Sequence, residues 1–325
     1  MTAPSAHDPA PSRRAERLLD DPRHRVTLFR APGGSDRAVV CFEPGRDRMD
    51  GFDKTTCPRF AERLGIDALT VQTSRRDWFL SDASAALAAS LDAATAGYDE
   101  VVASGFSMGG YGALLYSRAA RVRRILAVSP QYCIDPAVAP YDPGRHGKFR
   151  RMGRAMPRPE EWGDTGIRGA LIFDPAIVAD RLHARNIMAA FPHLVPVALP
   201  HGGHPATGTI AEAGRIGAIS TMLVEDRLDA RRIRRLHREA RKTSARYRLS
   251  LASAGLLRHG ARAGAELRAL AEGAAPQLRL EAGLALLSHD SEAGSRALSQ
   301  LLDEFPDAPP SWARRIGRAL AGLSD

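Results

Sequence analysis

The sequence predicts an α/β fold, with a doubly wound and mostly parallel sheet followed by a small all-α domain. Between residues 23 and 224, short runs rich in β-branched residues alternate with Ala- and Leu-rich helical patterns. This alternation is typical of a parallel sheet with helices on both faces. After about residue 225 no strand-like run remains. We therefore expect a flexible N-terminal tail over 1–22, a sheet domain over 23–224 and a helical domain over 225–325.

The sheet domain contains seven strand-like runs. In chain order they are 25–29, 38–42, 67–72, 101–106, 124–129, 170–173 and 194–199. The helical patterns between them cover 57–65, 81–97, 109–119, 180–190 and 206–223. Residues 131–168 lack periodicity, so we expect an irregular excursion there, which is the only candidate for a small lid.

The C-terminal domain is expected to consist of helices alone. Their predicted ranges are 227–256, 261–272, 276–287, 291–304 and 310–323. The run AGLALLSHDSEAGSRALSQLLDEFPDAP resembles one tetratricopeptide unit, in which two helices are closed by a turn that contains proline. This predicts a helical, repeat-like C-terminus.

Positive charge is concentrated in one segment. The chain carries a formal charge of +9, and residues 231–248 hold nine Lys or Arg against one Glu. The rest of the chain is therefore nearly neutral, and a substrate of the sheet domain need not be an anion. On a helix, Arg231, Arg234, Arg235 and Arg238 would share one face. The segment is a solvated linker helix, a surface for an acidic partner, or a nucleic-acid site. The scarcity of aromatic residues argues against nucleic acid.

The sequence shows little sign of a signal peptide, a membrane span or a cysteine-based site. The N-terminus has no apolar core of a signal peptide, and no window is long and apolar enough to span a bilayer. Cys41, Cys57 and Cys133 are odd in number and lack the spacing of a metal site, so we expect no disulfide framework and no metal. Cys41 and Cys133 are expected to be small buried hydrophobes. These features predict a cytoplasmic protein.

The most specific motif is GFSMG at 105–109, a G-x-S-x-G pattern. It follows a strand-like run and opens a helical pattern, which is the setting of a nucleophile elbow. A serine on so tight a turn needs strained backbone angles, and its neighbours must lack bulk. Ser107 is therefore the candidate nucleophile, and the backbone N–H of Met108 is a candidate oxyanion donor.

A serine hydroxyl is a poor nucleophile and needs a base and an orienting acid. In this architecture the acid and then a histidine follow the serine along the chain. His204 is the preferred base because two glycines place it well into the loop after the last strand, whereas His201 lies at the strand's end. Asp180 is the preferred acid, with Asp174 as the alternative. For Asp180 the competing interpretation is a helix N-cap.

Residues 23–224 resemble the α/β-hydrolase superfamily. The stretch GFSMGGYGALLYSRAARVRRILAVSPQY is particularly similar to the elbow region of small bacterial serine esterases. The resemblance implies a serine hydrolase that cleaves a small carboxylic ester through an acyl-enzyme, with a Ser107–His204–Asp180 triad and no cofactor. Two alternatives remain, an acyltransferase with an acceptor other than water and an inert hydrolase-fold scaffold that binds a partner through its helical C-terminus.

The chain departs from this family in the loop after the second strand-like run of the sheet domain. Esterases of the family often carry a His-Gly pair there, whereas this chain has Phe42-Glu43-Pro44-Gly45. Pro44 has no N–H to donate, so the second oxyanion donor would be Glu43 or Gly45.

Trp78 follows the strand-like run 67–72, near the sheet edge where ligands bind in such folds. It is a candidate for lining the substrate pocket, and the alternative is an ordinary half-buried packing residue. His146, His183 and His193 are expected to be surface or packing residues.

Overall fold

A computed structural model describes residues 13–46 and 48–322. Eight strands form one sheet in the order β1-β2-β4-β3-β5-β6-β7-β8. The strands are β1 (Ala15–Asp20), β2 (His24–Phe29), β3 (Arg37–Phe42), β4 (Asp67–Thr73), β5 (Glu100–Phe106), β6 (Arg124–Val128), β7 (Arg168–Phe173) and β8 (Leu194–Ala198). β2 is antiparallel to its two neighbours, β1 and β4, and all other pairs are parallel. The predicted fold class is confirmed.

Helices connect the strands and make up the C-terminal region. In the first 225 residues they are α1 (Arg59–Leu64), α2 (Ser84–Thr95), α3 (Met108–Leu115), α4 (Pro143–Met152), α5 (Pro159–Trp162), α6 (Val178–Ala190), α7 (Gly208–Glu212) and α8 (Ile216–Val224). After them come α9 (Ala230–Ala240), α10 (Ala245–Gly273), α11 (Pro276–Leu287), α12 (Ser291–Glu304) and α13 (Pro310–Ala321). Within the described residues, no helix is both long and apolar enough to cross a bilayer.

The predicted N-terminal tail is wrong for residues 15–20, which form β1. This strand pairs with β2 along the sheet edge, from Ala15 opposite Phe29 to Asp20 opposite Arg25. The turn between the two strands is closed by the Asp21 carboxylate, which accepts the backbone N–H of Arg23 at 2.6 Å and that of the next residue at 2.8 Å. Tertiary pairing and this turn outweigh the weak strand propensity of the segment. Residues 1–12 of the predicted tail lie outside the described residues.

Two predicted helices are broken in the structure. The pattern over 206–223 divides into α7 and α8 at Gly214, whose φ of +70° ends the first helix. The pattern over 227–256 divides at Ser244, whose hydroxyl caps α10 by accepting the N–H of Tyr247. α10 then continues past the break expected at Gly260, where the structure has only a kink at His259.

Residues 131–168 are more regular than expected, since they include α4 and α5. The segment is fixed to α6 through buried His183, whose Nε2 lies 3.0 Å from the Asp142 carboxylate. The backbone N–H of Tyr132 donates to His183 Nδ1 at 3.2 Å, so Nε2 carries the proton and donates to Asp142. His183 is therefore a packing residue, as predicted. The lid function of the segment stays a prediction.

The three cysteines are free thiols. Cys133 is buried, as expected, whereas Cys41 in β3 is partly exposed.

The chain folds into two compact units. Among the described residues, the first contains those up to Ala198 together with Arg215–Arg234, and the second contains Leu199–Gly214 together with those from Arg235 onward. The loop after β8 therefore groups with the C-terminal helices, which differs from the predicted boundary at residue 224. Leu69, Leu114 and Ile125 belong to the core of the first unit.

Apolar clusters also lie within the described part of the second unit. One includes Leu267 and Leu286, and another includes Leu298 and Trp312. α11 and α12 pack closely, since a Cβ on Gly283 would lie 2.7 Å from a methyl carbon of Leu298. The all-α prediction is confirmed for this region, and its resemblance to a tetratricopeptide unit stays a prediction.

The register of the parallel strands aligns their carboxyl ends. Phe42 of β3 is opposite Gly105 of β5, Phe106 is opposite Val128 of β6, and Val128 is opposite Ile172 of β7. The loops that follow these strands therefore emerge at one edge of the sheet, where ligands bind in open α/β folds.

Candidate active site

Ser107 occupies the sharp turn between β5 and α3. Its backbone has φ 51° and ψ −120°, a conformation that is strained for a residue with a side chain. The turn is held by the Ser107 N–H, which donates to the carbonyl of Val128 at 2.8 Å, and by the Ser107 carbonyl, which accepts the N–H of Gly110 at 2.9 Å. The side chain is half-buried at the carboxyl edge of the sheet.

The glycines of the motif are required by close backbone approach. A Cβ on Gly105 would overlap the carbonyl of Gly109, and a Cβ on Gly109 would overlap the carbonyl of Phe42 and lie 2.8 Å from that of Glu43. Both positions therefore exclude every other residue. The G-x-S-x-G pattern describes a real packing constraint, in which strand, turn and helix approach one another at backbone contact.

The structure distinguishes the two candidates for the second oxyanion donor. The N–H of Glu43 donates to the carbonyl of Val71 at 3.0 Å, so it is already used in the sheet. Gly45 lies beside the elbow, because a Cβ built on it would be 3.6 Å from Cβ of Met108. Met108 is the first residue of α3, and the N–H groups of a first helical turn have no acceptor within the helix. Gly45 is thus the remaining candidate of the pair, next to Met108.

Gln131 is a site residue that the sequence analysis missed. It is 0 % exposed, and its Nε2 lies 3.2 Å from Oγ of Ser107 and 3.3 Å from the carbonyl of Ser129. The indole Nε1–H of Trp78 donates to Gln131 Oε1 at 3.0 Å. Because an indole N–H can only donate, it fixes the amide with Oε1 toward Trp78 and Nε2 toward Ser107. The only sequence signal was the position of Gln131 three residues after the end of β6.

Trp78 therefore differs from both of its predicted roles. Its side chain is 2 % exposed, not half-buried, so it offers almost no surface to a substrate. Its backbone has φ 55°, which is uncommon for a bulky residue. Through Gln131 the indole acts on the orientation of Ser107, and we interpret Trp78 as a positioning residue in place of a pocket-lining one.

Both candidate acids are buried. Asp174 directly follows β7, is 0 % exposed, and accepts the backbone N–H of Ala176 at 2.9 Å. Asp180 is 2 % exposed and lies in the first turn of α6. Because α6 begins at Val178 and not at 180, Asp180 is not the N-cap of the helix. A choice between the two acids stays a prediction.

Both candidate bases lie in the second compact unit, in the loop after β8. Nδ1 of His201 lies 3.1 Å from Oγ of Ser250, and its ring meets that of Tyr247 edge-on. The loop bends at Gly202, where a Cβ would overlap the carbonyl of Ala206, before it reaches His204. This bend agrees with the role expected for the glycines. The assignment of His204 as the base stays a prediction.

No family model matches the chain, and no curated protein matches its sequence. Solved structures similar to it include Est1E from Butyrivibrio proteoclasticus, with 14% identity over 64% of this chain and 97% of that one and a TM-score of 0.44. An arylesterase has 14% identity over 69% and 86% of the two chains and a TM-score of 0.45. The capsule O-acetyltransferase of Neisseria meningitidis serogroup A has 12% identity over 63% and 93% and a TM-score of 0.46.

Proposed function

We propose that this protein is a serine hydrolase that cleaves a carboxylic ester through an acyl-enzyme. The observation that carries the proposal is the strained turn at Ser107, at the carboxyl end of a central strand. Backbone strain of this kind persists only where the surrounding structure imposes it, and it clusters at active sites. The glycine contacts at Gly105 and Gly109 and the buried amide of Gln131 provide that surrounding structure.

Each group has a chemical role in the proposed reaction. Oγ of Ser107 attacks the ester carbonyl carbon while His204 takes the hydroxyl proton, and Asp180, or else Asp174, orients the imidazole. The N–H groups of Met108 and Gly45 would hold the oxyanion. The tetrahedral intermediate collapses, and the alcohol leaves with the proton from the imidazole. Water then repeats the sequence on the acyl-enzyme and releases the acid.

Gln131 fits this scheme as a fixed donor to the nucleophile. Its Nε2–H occupies one lone pair of Ser107 Oγ, so the hydroxyl proton is directed elsewhere. A hydrogen bond to Oγ also stabilises the negative charge that develops on it during attack. Trp78 holds the amide in the orientation that makes this donation possible.

Labelling with a fluorophosphonate probe tests the proposal. The wild-type protein should be labelled, and Ser107→Ala should abolish both labelling and ester cleavage, with a loss in kcat of at least about 1,000-fold because the nucleophile is gone. Ser104→Ala, on the same strand but before the elbow, is the control and should keep both. A wild-type protein that is not labelled, or Ser107→Ala labelled at the wild-type rate, would contradict the proposal.

The same assay distinguishes the two acids. Asp180→Asn should lower kcat for ester cleavage by a factor on the order of 1,000 to 10,000, because the amide no longer stabilises the imidazolium. Asp174→Asn should have the smaller effect, since one carboxylate oxygen of Asp174 is used in the turn with Ala176. The reverse order of the two variants would assign the acid to Asp174.

A further inference from the structure

A groove of about 460 Å³ in the first unit is lined by an unusual concentration of cations. We call it the cationic groove, and its charged residues are Arg23, Arg75, Arg76, Lys148, Arg151 and Asp77. Five positive side chains thus surround one carboxyl. The sequence segments that contribute them are far apart, so the charge does not stand out in the sequence.

Three structural elements bring these cations together. Arg23 lies in the β1–β2 turn, and Arg75 and Arg76 follow β4 after one intervening residue. Lys148 and Arg151 are one helical turn apart on α4 and share a face of that helix. α4 is held in place at its start by Asp142, which binds buried His183.

Most of the positive charge of the groove is not neutralised by ion pairs. Among the residues that the structure describes, no ion pair involves Arg23, Arg75, Lys148 or Arg151. The one carboxyl, Asp77, accepts the hydroxyl of Thr73 at 2.7 Å and the N–H of Phe79 at 3.1 Å. Burial also raises the pKa of Asp77, which weakens its negative charge.

Assembling these cations costs free energy. Burial lowers the pKa of Lys148, and the positive charges of Arg76, Arg145 and Arg151 lower it further against the opposing effect of Asp142. Like charges held together and partly desolvated destabilise a fold unless a counter-charge is bound. Perturbed groups of this kind are concentrated at functional sites. An anion in the groove would relieve the repulsion.

The cationic groove is adjacent to the candidate active site. A Cβ placed on Gly45, the candidate second oxyanion donor, would lie 3.6 Å from Nε of Arg76 and 3.6 Å from Cβ of Met108. The guanidinium of Arg76 therefore lies beside the loop that faces the elbow. A second connection runs from Asp77 in the groove to Trp78, the next residue, and through Gln131 to Ser107.

We propose that the cationic groove binds an anionic group, a carboxylate or a phosphate, carried by the acyl substrate of Ser107. This inference rests on the proposed hydrolase function. Arginine guanidinium groups suit both anions because their planar N–H pairs match two oxygen atoms at once. Met49, Leu80 and Met152 also line the groove and offer contact to a hydrocarbon chain between the anion and the ester.

The test compares matched 4-nitrophenyl esters. The neutral butyrate ester is compared with the mono-ester of glutaric acid, which ends in a carboxylate, and with the ester of 3-phosphonopropanoic acid, which ends in a phosphonate. The wild-type protein should favour at least one anionic ester over the butyrate by about tenfold in kcat/KM, which corresponds to about 1.4 kcal/mol, the scale of one charged hydrogen bond. The better of the two anionic esters identifies the class of anion.

Variants on α4 connect this preference to the groove. Lys148→Gln with Arg151→Gln should lower the ratio of anionic to neutral kcat/KM about tenfold, mainly through KM, and Lys148→Glu with Arg151→Glu should lower it further. Arg168→Gln is the control. Arg168 is an exposed cation at the start of β7, the end away from the loops of the candidate site, so this variant should keep the wild-type ratio. A wild-type ratio of one or less, or a ratio that the α4 variants do not change, overturns the inference.

Failure of the inference is distinguishable from failure of the proposed function. If the wild-type protein reacts with the fluorophosphonate and cleaves the butyrate ester but shows no preference for anions, the hydrolase proposal stands and the groove proposal falls. If it neither reacts nor cleaves any of the three esters, both proposals fall.

Discussion

At the residue scale, the candidate site depends on the side-chain amide of Gln131, which a second buried residue holds in one orientation. The indole N–H of Trp78 can only donate, so it binds Oε1 of Gln131. This leaves Nε2 of Gln131 as the donor to Oγ of Ser107. All three side chains lie in the first compact unit. Two buried residues, Gln131 and Trp78, therefore contribute to the orientation of the nucleophile.

We expect Gln131→Ala to slow fluorophosphonate labelling of Ser107 about tenfold. The variant removes one hydrogen bond to the nucleophile, which contributes about 1 kcal/mol, and also frees Trp78 Nε1–H in a buried place. The loss should appear in kcat for ester cleavage and leave KM nearly unchanged, because the amide contacts Oγ and not the substrate's binding groups.

Two further variants make this prediction specific. Trp78→Phe replaces the indole by a smaller aromatic ring without a donor, so the Gln131 amide can turn, and labelling should slow less than in Gln131→Ala. Gln277→Ala changes an exposed glutamine on α11 and should label at the wild-type rate. Wild-type labelling of Gln131→Ala would contradict a positioning role.

At the scale of single elements, helix α9 is amphipathic. Ile233, His237 and Ala240 are buried, whereas Arg231, Arg235 and Arg238 are exposed. Arg234, the fourth arginine of the predicted basic face, donates to the carbonyl of Pro196 at 3.2 Å. Of the four arginines of the predicted face, only Arg231, Arg235 and Arg238 are therefore exposed to an acidic partner.

We predict that retention of the protein on heparin decreases when Arg231, Arg235 and Arg238 are all changed to Gln. The three exposed guanidinium groups are the contacts that a polyanion would use, and their loss should lower the salt concentration at elution. As a control of equal charge, Arg258→Gln, Arg314→Gln and Arg318→Gln remove three exposed arginines from α10 and α13. Equal shifts in both triple variants would show that only net charge matters and that α9 is a solvated helix.

At the scale of the whole molecule, buried histidines couple stability to pH. His24 at the start of β2 is fully buried, and burial lowers its pKa to about 4. An unfolded histidine has a pKa of about 6.5. As the pH falls from about 6.5 to about 4, the unfolded chain therefore binds a proton that the folded chain does not, and the free energy of unfolding decreases. Burial also lowers the pKa of His183, which acts in the same direction.

We predict that His24→Gln flattens this pH dependence. Between about pH 6.5 and about 4, His24 lowers the free energy of unfolding by up to about 1.4 kcal/mol for each unit by which the pH falls. The variant should remove this contribution. Urea unfolding at pH 7.5, 6.0 and 5.0 measures it. His193→Gln changes an exposed histidine and should keep the wild-type slope. A slope in His24→Gln equal to that of the wild type would contradict the role of His24.

Local patterns predicted the elements more completely than the interactions between them. The strands from 25–29 to 194–199 were all found because each is a short apolar run with clear boundaries. β1 was missed because its residues have weak strand propensity and are held by pairing with β2. The motif around Ser107 was recognised because the strained serine and the glycines that permit its turn are close together in the sequence. Gln131 and Trp78 are 53 residues apart, so no local pattern reveals their hydrogen bond.

The sequence by itself determined the α/β class, the elbow at Ser107 and the helical C-terminus, since these depend on periodicity and on residues close in the chain. Only the tertiary structure decided that Glu43 uses its N–H in the sheet, that Gln131 reaches Ser107, and that separate cations meet in one groove. The part of the chain outside 231–248 is nearly neutral and can still build a strongly positive site, because net charge is a sum over residues. Electrostatic potential depends on distance, and distances between remote residues exist only in the folded state.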